Sequence, residues 1–132
     1  MFCVNCQKEV EARIVTGADI YGPHSACRDV PYAMCPDCGN YGEYAINKEP
    51  PFSVIPTFEL RKAYNHIDCH FSALWEWQIM TKAEAEALMS KRLYNGERPY
   101  RTHEIRTHSE AVDAYKMAKL LYKEFITDVK HS

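Results

Sequence analysis

The chain has 132 residues and a formal net charge of −2, from 16 basic and 18 acidic side chains. Hydrophobic residues make up 46% of it and aromatic residues 12%, which suffices for a folded core and excludes global disorder. The chain lacks the basic surplus of a general nucleic-acid binder, and it has no run of about 18 apolar residues that would mark a membrane span. We expect a small monomer with neither a signal peptide nor a membrane anchor.

Residues 1–50 alternate short strand-like segments with turn-forming residues. Residues 10–15 and residues 41–47 alternate apolar and polar side chains, which predicts two half-buried strands. Residues 16–27 contain two glycines and a proline, and we predict a loop there. Four basic and seven acidic side chains give this part a net negative charge, so it carries the net acidity of the chain.

Three prolines within residues 48–57 mark a boundary, beyond which helical signals replace strand signals. We therefore predict a ribbon in residues 1–50 and a helical region in residues 51–132 that packs on it. The predicted fold class is α+β, with short antiparallel strands followed by a three-helix C-terminal region.

Capping residues and apolar stripes define the three predicted helices. Thr57 is the predicted N-cap of the first helix, and capping boxes at residues 81–84 and 107–110 start the second and third. Gly96 is placed to end the second helix. The stripe of the first helix is Leu60, Tyr64, Ile67, Phe71 and Leu74. The stripe of the second is Ala85, Leu88, Met89 and Leu93, and that of the third is Val112, Tyr115, Ala118, Tyr122, Phe125 and Val129.

Two Cys-x2-Cys pairs supply the strongest chemical signal in the chain. Zinc prefers four tetrahedral ligands, and each such pair presents two thiolates from one tight turn. Gly39 follows the second pair and allows the left-handed conformation that such a turn needs, whereas Gln7 takes the equivalent place after the first pair. We predict one structural Zn²⁺ in a zinc ribbon, in a closed site whose ligands are Cys3, Cys6, Cys35 and Cys38.

Other interpretations of the cysteines and histidines stay open. In a reducing cytosol, where we expect this protein, paired cysteines bind metal more often than they form disulfides, and a redox Cys-x-x-Cys motif comes singly at a helix start. Cys27 fits neither pair and is predicted as a small buried hydrophobe, with a spare ligand as the alternative. His66, Cys69 and His70 lie within about one helical turn, which indicates either a second metal site or a solvated helix face.

Two segments of the helical region are candidates for partner contacts. Trp75 and Trp77 either cover the junction between the two regions or anchor a partner, with at least one of them near the surface. Residues 91–106 carry five basic and two acidic side chains, which favours a solvated loop, with contact to phosphates or to an acidic protein face as the alternative. The candidate contact residues in that segment are Arg98, Tyr100, Arg101 and Arg106.

No enzyme motif is present in the sequence. The segment GADIYG has the wrong spacing for a phosphate-binding loop, and a serine nucleophile elbow is absent. Single histidines are available, but nothing in the sequence pairs them with a nucleophile. We therefore predict a protein that is not an enzyme.

The order of the motifs resembles a family of small zinc-finger-containing proteins carried by phages and mobile elements. The matching elements lie mainly in residues 1–77 and are CVNCQKEVEARI, IYG at residues 20–22, CPDCGNYGEYAI and ELRKAYNHIDCHFSALW. The resemblance implies a zinc ribbon with a helical tail, in which Leu74 and Trp75 match the apolar-Trp pair near the end of the helix. It also implies a phage protein that inhibits bacterial immunity, an anti-CRISPR protein directed at a type II RNA-guided nuclease.

Two hypotheses for function follow. In the first, the acidic surface of a non-enzymatic inhibitor docks on a basic host protein, such as a CRISPR effector nuclease. In the second, a zinc-ribbon protein binds nucleic acid through the basic segment of residues 91–108.

Overall fold

The computed structural model describes residues 1–44 and 52–127, which form an α+β fold as predicted. The strands are β1 (Phe2–Cys3), β2 (Lys8–Glu9), β3 (Arg13–Thr16), β4 (Pro31–Met34), β5 (Tyr41–Glu43) and β6 (Val54–Ile55). The helices are α1 (Gly17–Tyr21), α2 (Phe58–Phe71), α3 (Ala73–Glu76), α4 (Lys82–Tyr94) and α5 (His108–Tyr122). A 3-10 turn at Thr102–Glu104 and a π-helical turn at Lys123–Thr127 complete the described elements. The chain divides into two compact units, Met1–Glu59 and Leu60–Ser132.

Two three-stranded sheets build the first unit. One sheet has the order β2-β1-β6, in which β1 is antiparallel to β2 and parallel to β6. The other has the order β3-β4-β5 and is antiparallel throughout. The predicted antiparallel ribbon is confirmed, and the parallel pairing of β1 with β6 is an addition to it.

The strand bounds differ from the predicted ones. The strand expected in residues 10–15 is β3 and begins only at Arg13, because the Val10 N–H donates to the Met1 carbonyl (2.8 Å). The strand expected in residues 41–47 is β5, which ends at Glu43, and residues 45–47 lie outside the described residues.

The proline-rich segment contributes a strand to the first unit. The sequence predicts a boundary at residues 50 and 51, but β6 lies beyond that point and pairs with β1. The residue after β6, Pro56, also packs closely on β5, since a Cβ on Gly42 of β5 would lie only 2.7 Å from Pro56 Cδ. The predicted packing of the helical region on the ribbon stays a prediction.

The prediction of a loop throughout residues 16–27 is wrong, because α1 occupies Gly17–Tyr21. The Asp19 carboxylate accepts hydrogen bonds from the Thr16 backbone N–H (2.9 Å) and hydroxyl (3.2 Å). These bonds satisfy groups that would otherwise compete with the first helical turn. The signal in the sequence was the Thr-x-x-Asp spacing, which the neighbouring glycines obscured.

Buried apolar side chains of the helices form the core of the second unit. All five residues of the predicted α2 stripe are buried, as are Ala85 and Met89 of α4. The ring of Phe71 packs edge-on against Trp75 (5.0 Å) and Tyr100 (5.5 Å). The predicted first helix ends three residues early, at Phe71, where the Ser72 hydroxyl donates to the Asp68 carbonyl (2.6 Å).

The predicted apolar stripe of α5 is rotated from the buried one. Val112, a member of the predicted stripe, is 46% exposed, and Val129 lies outside the described residues. Small side chains let α5 lie close to α4, whereas the sequence pattern favoured the bulky residues beside them. The buried residues of α5 and the turn after it are Ala111, Ala114, Ala118, Leu121 and Ile126.

Gly17 is a position where any side chain should destabilise the first unit. A Cβ there would lie 1.7 Å from the Cys27 carbonyl oxygen, so backbone has to move in Gly17→Ala. We expect a loss of about 3 kcal/mol in the free energy of unfolding, at the upper end for overpacking. Urea denaturation, monitored through the NMR signals of the first unit, measures this loss.

Gly39→Ala is the matched control for that substitution. Gly39 has a φ of +77° and open space around its Cβ position, so only backbone strain of about 1 kcal/mol applies. Equal losses for the two variants would contradict the steric argument at Gly17.

The capping box of α4 should make the second unit sensitive to acid. The Thr81 N–H donates to the Glu84 carboxylate (3.1 Å), and the Glu84 N–H donates to the Thr81 hydroxyl (3.1 Å). The bond from the Thr81 backbone, followed by that from its side chain, lowers the pKa of Glu84. A lowered folded-state pKa means that this stabilisation is present above the unfolded pKa of 4.5 and is lost as the pH falls through the folded value.

We expect Glu84→Gln to destabilise the second unit at about pH 6 and to have a much smaller effect at about pH 3. Thr107→Ala removes the hydroxyl that accepts from Glu110 N–H (3.1 Å) at the start of α5, and it provides the control. Its cost of about 1 kcal/mol should be present at both pH values, since a hydroxyl does not titrate there. Urea denaturation of both variants at the two pH values is the measurement.

Candidate metal centre

Two hairpin turns carry the four cysteines. Cys3 ends β1 and Cys6 lies in the turn that follows it, whereas Cys35 and Cys38 both lie in the turn between β4 and β5. The two turns have the same backbone pattern, because the Cys3 carbonyl accepts from the N–H four residues on (2.8 Å) and the Cys35 carbonyl does the same (2.9 Å). Each turn therefore presents two thiols toward one point.

Gln7 adopts the left-handed conformation that Gly39 adopts in the other turn. Its φ is +55°, against +77° for Gly39, so the departure seen in the sequence does not change the turn. The Gln7 side-chain amide donates to the Val4 carbonyl (2.5 Å), which helps to hold this less favourable backbone conformation. The two Cys-x2-Cys turns, which we call the first knuckle (Cys3 to Gln7) and the second knuckle (Cys35 to Gly39), are thus equivalent in structure although not in sequence.

The four sulfur atoms form a compact cluster. The Sγ atoms of Cys3, Cys6, Cys35 and Cys38 all lie within 4.8 Å of one another. Two opposite edges of this cluster join the knuckles, Cys3 to Cys38 at 3.6 Å and Cys6 to Cys35 at 3.9 Å. A tetrahedral ion with metal–sulfur bonds of about 2.3 Å, as for Zn²⁺, has sulfur–sulfur edges of about 3.8 Å. The predicted ligand set is therefore brought together with spacing that a metal ion can use.

One side of the cluster is dry and the other meets solvent. Cys3 and Cys35 are at most 1% exposed and pack with Ile55 of β6. Cys6 and Cys38 are half-buried. Ile55 was not predicted to take part, because its contact with the thiols depends on the pairing of β6 with β1 over a long stretch of chain. An ion in this site would be shielded on the side of Ile55 and reachable from the side of Cys6 and Cys38.

The electrostatic environments of the two half-buried thiols differ. Burial and the neighbouring thiols raise the pKa of Cys6 to about 12. Burial also acts to raise the pKa of Cys38, but hydrogen bonds from the Asn40 backbone and the Asn5 side chain outweigh it and lower that pKa to about 7. Of these two thiols, Cys38 is therefore the better prepared to become a thiolate, and a cation is needed to bring all four sulfurs to that state together.

A lysine ties the two knuckles together beside the thiols. Lys8 Nζ lies 2.8 Å from the carboxylate of Asp37, which is one of the two residues between Cys35 and Cys38. The Asp37 carboxylate, and more weakly the charges of Cys6 and Cys35, raise the pKa of Lys8. Sequence reasoning missed this pair, although a lysine two residues after the first motif and an aspartate inside the second were the available signal.

The remaining cysteines lie apart from the cluster. Cys27 is half-buried and is not a member of the cluster of four sulfurs, so it is not a ligand of this site. Within residues 1–44 and 52–127, the four cysteines are the one group of three or more potential ligands that the fold gathers. Cys69 is exposed, and His70 Nδ1 lies 3.3 Å from the His66 carbonyl, so the second metal site has no support there.

Two arginines of the predicted basic contact segment are paired with carboxylates of the same unit. Arg98 pairs with Glu110 (2.7 Å) and stacks over Tyr94 at 3.9 Å from the ring centroid. Arg101 lies 3.8 Å from Glu104. The cavity beside these side chains has a volume of about 40 Å³, room for a few water molecules and not for a nucleotide.

The aromatic candidates for partner contact differ in exposure. Tyr100 is 2% exposed and shares a hydrogen bond with the Thr102 hydroxyl (2.8 Å), so the prediction that it contacts a partner is wrong. The sequence pattern did not show that this tyrosine packs on Phe71. Trp75 is half-buried, whereas Trp77 is 50% exposed and Arg106 is exposed. Partner contacts of Trp75, Trp77 and Arg106 stay predictions.

Fold and site together define a small α+β protein with a four-cysteine cluster that can hold a metal ion. No protein-family model, curated protein or solved structure matches the chain. None of the helices in the described part of the chain has the length and apolar character needed to cross a membrane. The function must therefore be argued from the site and the surface themselves.

Replacing a buried cysteine of the cluster should abolish the folded first unit. Cys35→Ser leaves three thiolates and a poor fourth donor, and a structural metal site supplies folding free energy directly. We expect loss of bound metal and loss of the NMR dispersion of residues 1–44. Metal analysis and the visible absorption of the cobalt(II)-substituted protein measure the site.

Cys27→Ser is the matched control, because Cys27 lies in the same unit and outside the cluster. It should retain one metal ion per chain and lose no more than about 1 kcal/mol of stability. A folded, metal-free Cys35→Ser variant would rule out a structural role for the ion.

Proposed function

We propose that Cys3, Cys6, Cys35 and Cys38 bind one Zn²⁺ that acts as a structural clamp. Four thiolates are the ligand set of closed zinc sites, and the two sulfur–sulfur edges between the turns, 3.6 and 3.9 Å, bracket the tetrahedral value of about 3.8 Å. Soft sulfur ligands select zinc over magnesium or calcium, which prefer oxygen. The ion would tie the β1–β2 turn to the β4–β5 turn.

The protein then acts by binding rather than by catalysis. A four-thiolate shell leaves no coordination position for a substrate or an activated water molecule, as a catalytic zinc site requires. The closed thiol cluster inside an acidic unit is the observation that carries this proposal. Free thiols in that number fit the reducing cytoplasm of a bacterial host.

The partner is a basic protein surface. Residues 1–50 carry four basic and seven acidic side chains, a formal charge of −3 before the thiolates are counted. An acidic patch attracts a basic surface, speeds association and suppresses acidic competitors. The resemblance to small zinc-finger-containing proteins of phages and mobile elements narrows the partner to a host immunity protein. We take that partner to be a type II RNA-guided nuclease, whose nucleic-acid channel is positively charged, and the chain to be its inhibitor.

The nucleic-acid alternative has less support. Arg98 and Arg101 each have a carboxylate within 4.0 Å, so their charges are partly neutralised before any phosphate approaches. Tyr100 cannot stack on a base because it is buried. No observation in the described residues favours this alternative over protein binding.

The test is inhibition of target-DNA cleavage by a purified type II nuclease loaded with its guide RNA. Zinc-loaded protein should reduce cleavage in proportion to its concentration, because it occupies the basic channel. Protein stripped with a chelator and kept metal-free should lose this effect, since the first unit would unfold.

A mobility assay with random DNA and RNA at two salt concentrations distinguishes the inhibitor proposal from the nucleic-acid alternative. Salt-sensitive binding to random DNA or RNA, without inhibition of the nuclease, would contradict the inhibitor proposal and support nucleic-acid binding. Inhibition without nucleic-acid binding supports it. Inhibition by metal-free protein would contradict the role assigned to zinc.

A further inference from the structure

Three tyrosines of the first unit form a cluster at its surface. Tyr21 ends α1, Tyr32 lies on β4 and Tyr41 begins β5. Their ring centroids are 5.7 to 6.2 Å apart, and each pair of rings is close to perpendicular, at 75° to 85°. The Tyr21 and Tyr41 hydroxyls share a hydrogen bond of 2.6 Å. We call Tyr21, Tyr32 and Tyr41 the tyrosine cluster.

The tyrosine cluster is held in place from several directions. Edge-to-face contacts fix each ring against the other two. The Cys27 thiol lies close enough to the Tyr32 side chain to raise its pKa, behind the larger effect of burial. Tyr21 is nevertheless 53% exposed, so the cluster offers a rigid aromatic surface to solvent. Rigid aromatic side chains lose little entropy on binding and are frequent anchors at interfaces.

Charge indicates what such a surface would receive. Glu43 of β5 is the direct cross-strand neighbour of Tyr32, and its carboxylate helps to raise the pKa of Tyr32, behind burial and the neighbouring Cys27 thiol. Ring faces carry partial negative charge, and a neighbouring carboxylate adds to it. A guanidinium group can stack on tyrosine and pair with a carboxylate in a fork, which a lysine ammonium cannot do.

One cation lies on the same face of the sheet. Arg13 of β3 pairs with Met34 of β4, which in turn pairs with Tyr41, so Arg13 is two strands away from Tyr41. At about 4.8 Å per strand, that is roughly 10 Å, about one Debye length. Arg13 should weaken the attraction of a second cation slightly without occupying the cluster.

We propose that the tyrosine cluster, with Glu43 at its edge, receives an arginine side chain of the basic protein partner. The proposal rests on the proposed function, since it names the part of the acidic unit that contacts the partner. The arginine stacks on the exposed ring of Tyr21 and pairs with Glu43.

A titration of the full, zinc-loaded chain with a hexa-arginine peptide tests the surface directly. Tyrosine ring signals are followed by NMR, with a hexa-citrulline peptide of the same shape as the uncharged control. We expect the arginine peptide to shift the ring signals of Tyr21 and Tyr41 and the citrulline peptide to leave them unchanged. Equal shifts with both peptides, or shifts confined to residues outside the cluster, would overturn the proposal.

Substitutions at and beside the cluster sharpen the test. Tyr21→Leu removes an exposed ring and should weaken binding of the arginine peptide by about fivefold, and Glu43→Gln by a similar factor. Tyr21→Phe keeps the ring and should bind within about twofold of the original chain. Arg13→Gln should tighten binding modestly, because it removes the neighbouring cation. Unchanged binding in Glu43→Gln together with Tyr21→Leu would exclude the cluster even if one variant were partly unfolded.

The nuclease assay distinguishes failure of this proposal from failure of the proposed function. If Tyr21→Leu and Glu43→Gln inhibit the nuclease as well as the original chain does, the tyrosine cluster is not the contact surface, and the inhibitor proposal stands. If the original chain does not inhibit the nuclease while the arginine peptide still shifts the cluster, the inhibitor proposal fails and the arginine surface stands.

Discussion

The clustering of four thiols in a small, thinly packed unit is the constraint on which the first unit depends. Its strands are two to four residues long, and few of its described side chains are both large and buried. A unit of this size buries little apolar surface and is marginally stable, and a metal ion can add folding free energy to it. Because Cys6 and Cys35 are 29 residues apart, an ion between the knuckles would also restrict the unfolded chain strongly.

The second unit is stabilised in a different way. Its helices bury a continuous set of apolar side chains, and the Tyr64 hydroxyl donates to the Ile105 carbonyl (2.5 Å) inside that core. Several of its arginines, including Arg92 and Arg98, have carboxylate partners within the unit. Internal pairing lowers the charge available for a partner there, so the net acidity of residues 1–50 is the larger long-range electrostatic feature of the described chain.

Local sequence signals predicted much of this structure, whereas the contacts between residues far apart in the chain could not be predicted. The Cys-x2-Cys spacing identified all four clustered thiols, and the Thr-x-x-Glu box located the start of α4. The pairing of β1 with β6 joins residues about fifty positions apart, and no local pattern encodes it. On α5, apolar residues lie on two adjacent faces, so periodicity alone could not decide that the alanines, and not Val112, are buried. The tyrosine cluster escaped prediction for the same reason, since α1, β4 and β5 bring its rings together.

The metal centre and the tyrosine cluster are linked through one hairpin. The second knuckle is the turn between β4 and β5, and within it the Cys35 N–H donates to the Asn40 carbonyl (2.8 Å). Tyr32 precedes that turn by three residues and Tyr41 follows Cys38 by three, so the turn fixes the register that sets the two rings 5.7 Å apart. An ion that holds the knuckle would therefore also hold the aromatic surface. A closed zinc site, as proposed, would then affect partner binding without contacting the partner, because it would stabilise the strands that present Tyr32, Tyr41 and Glu43.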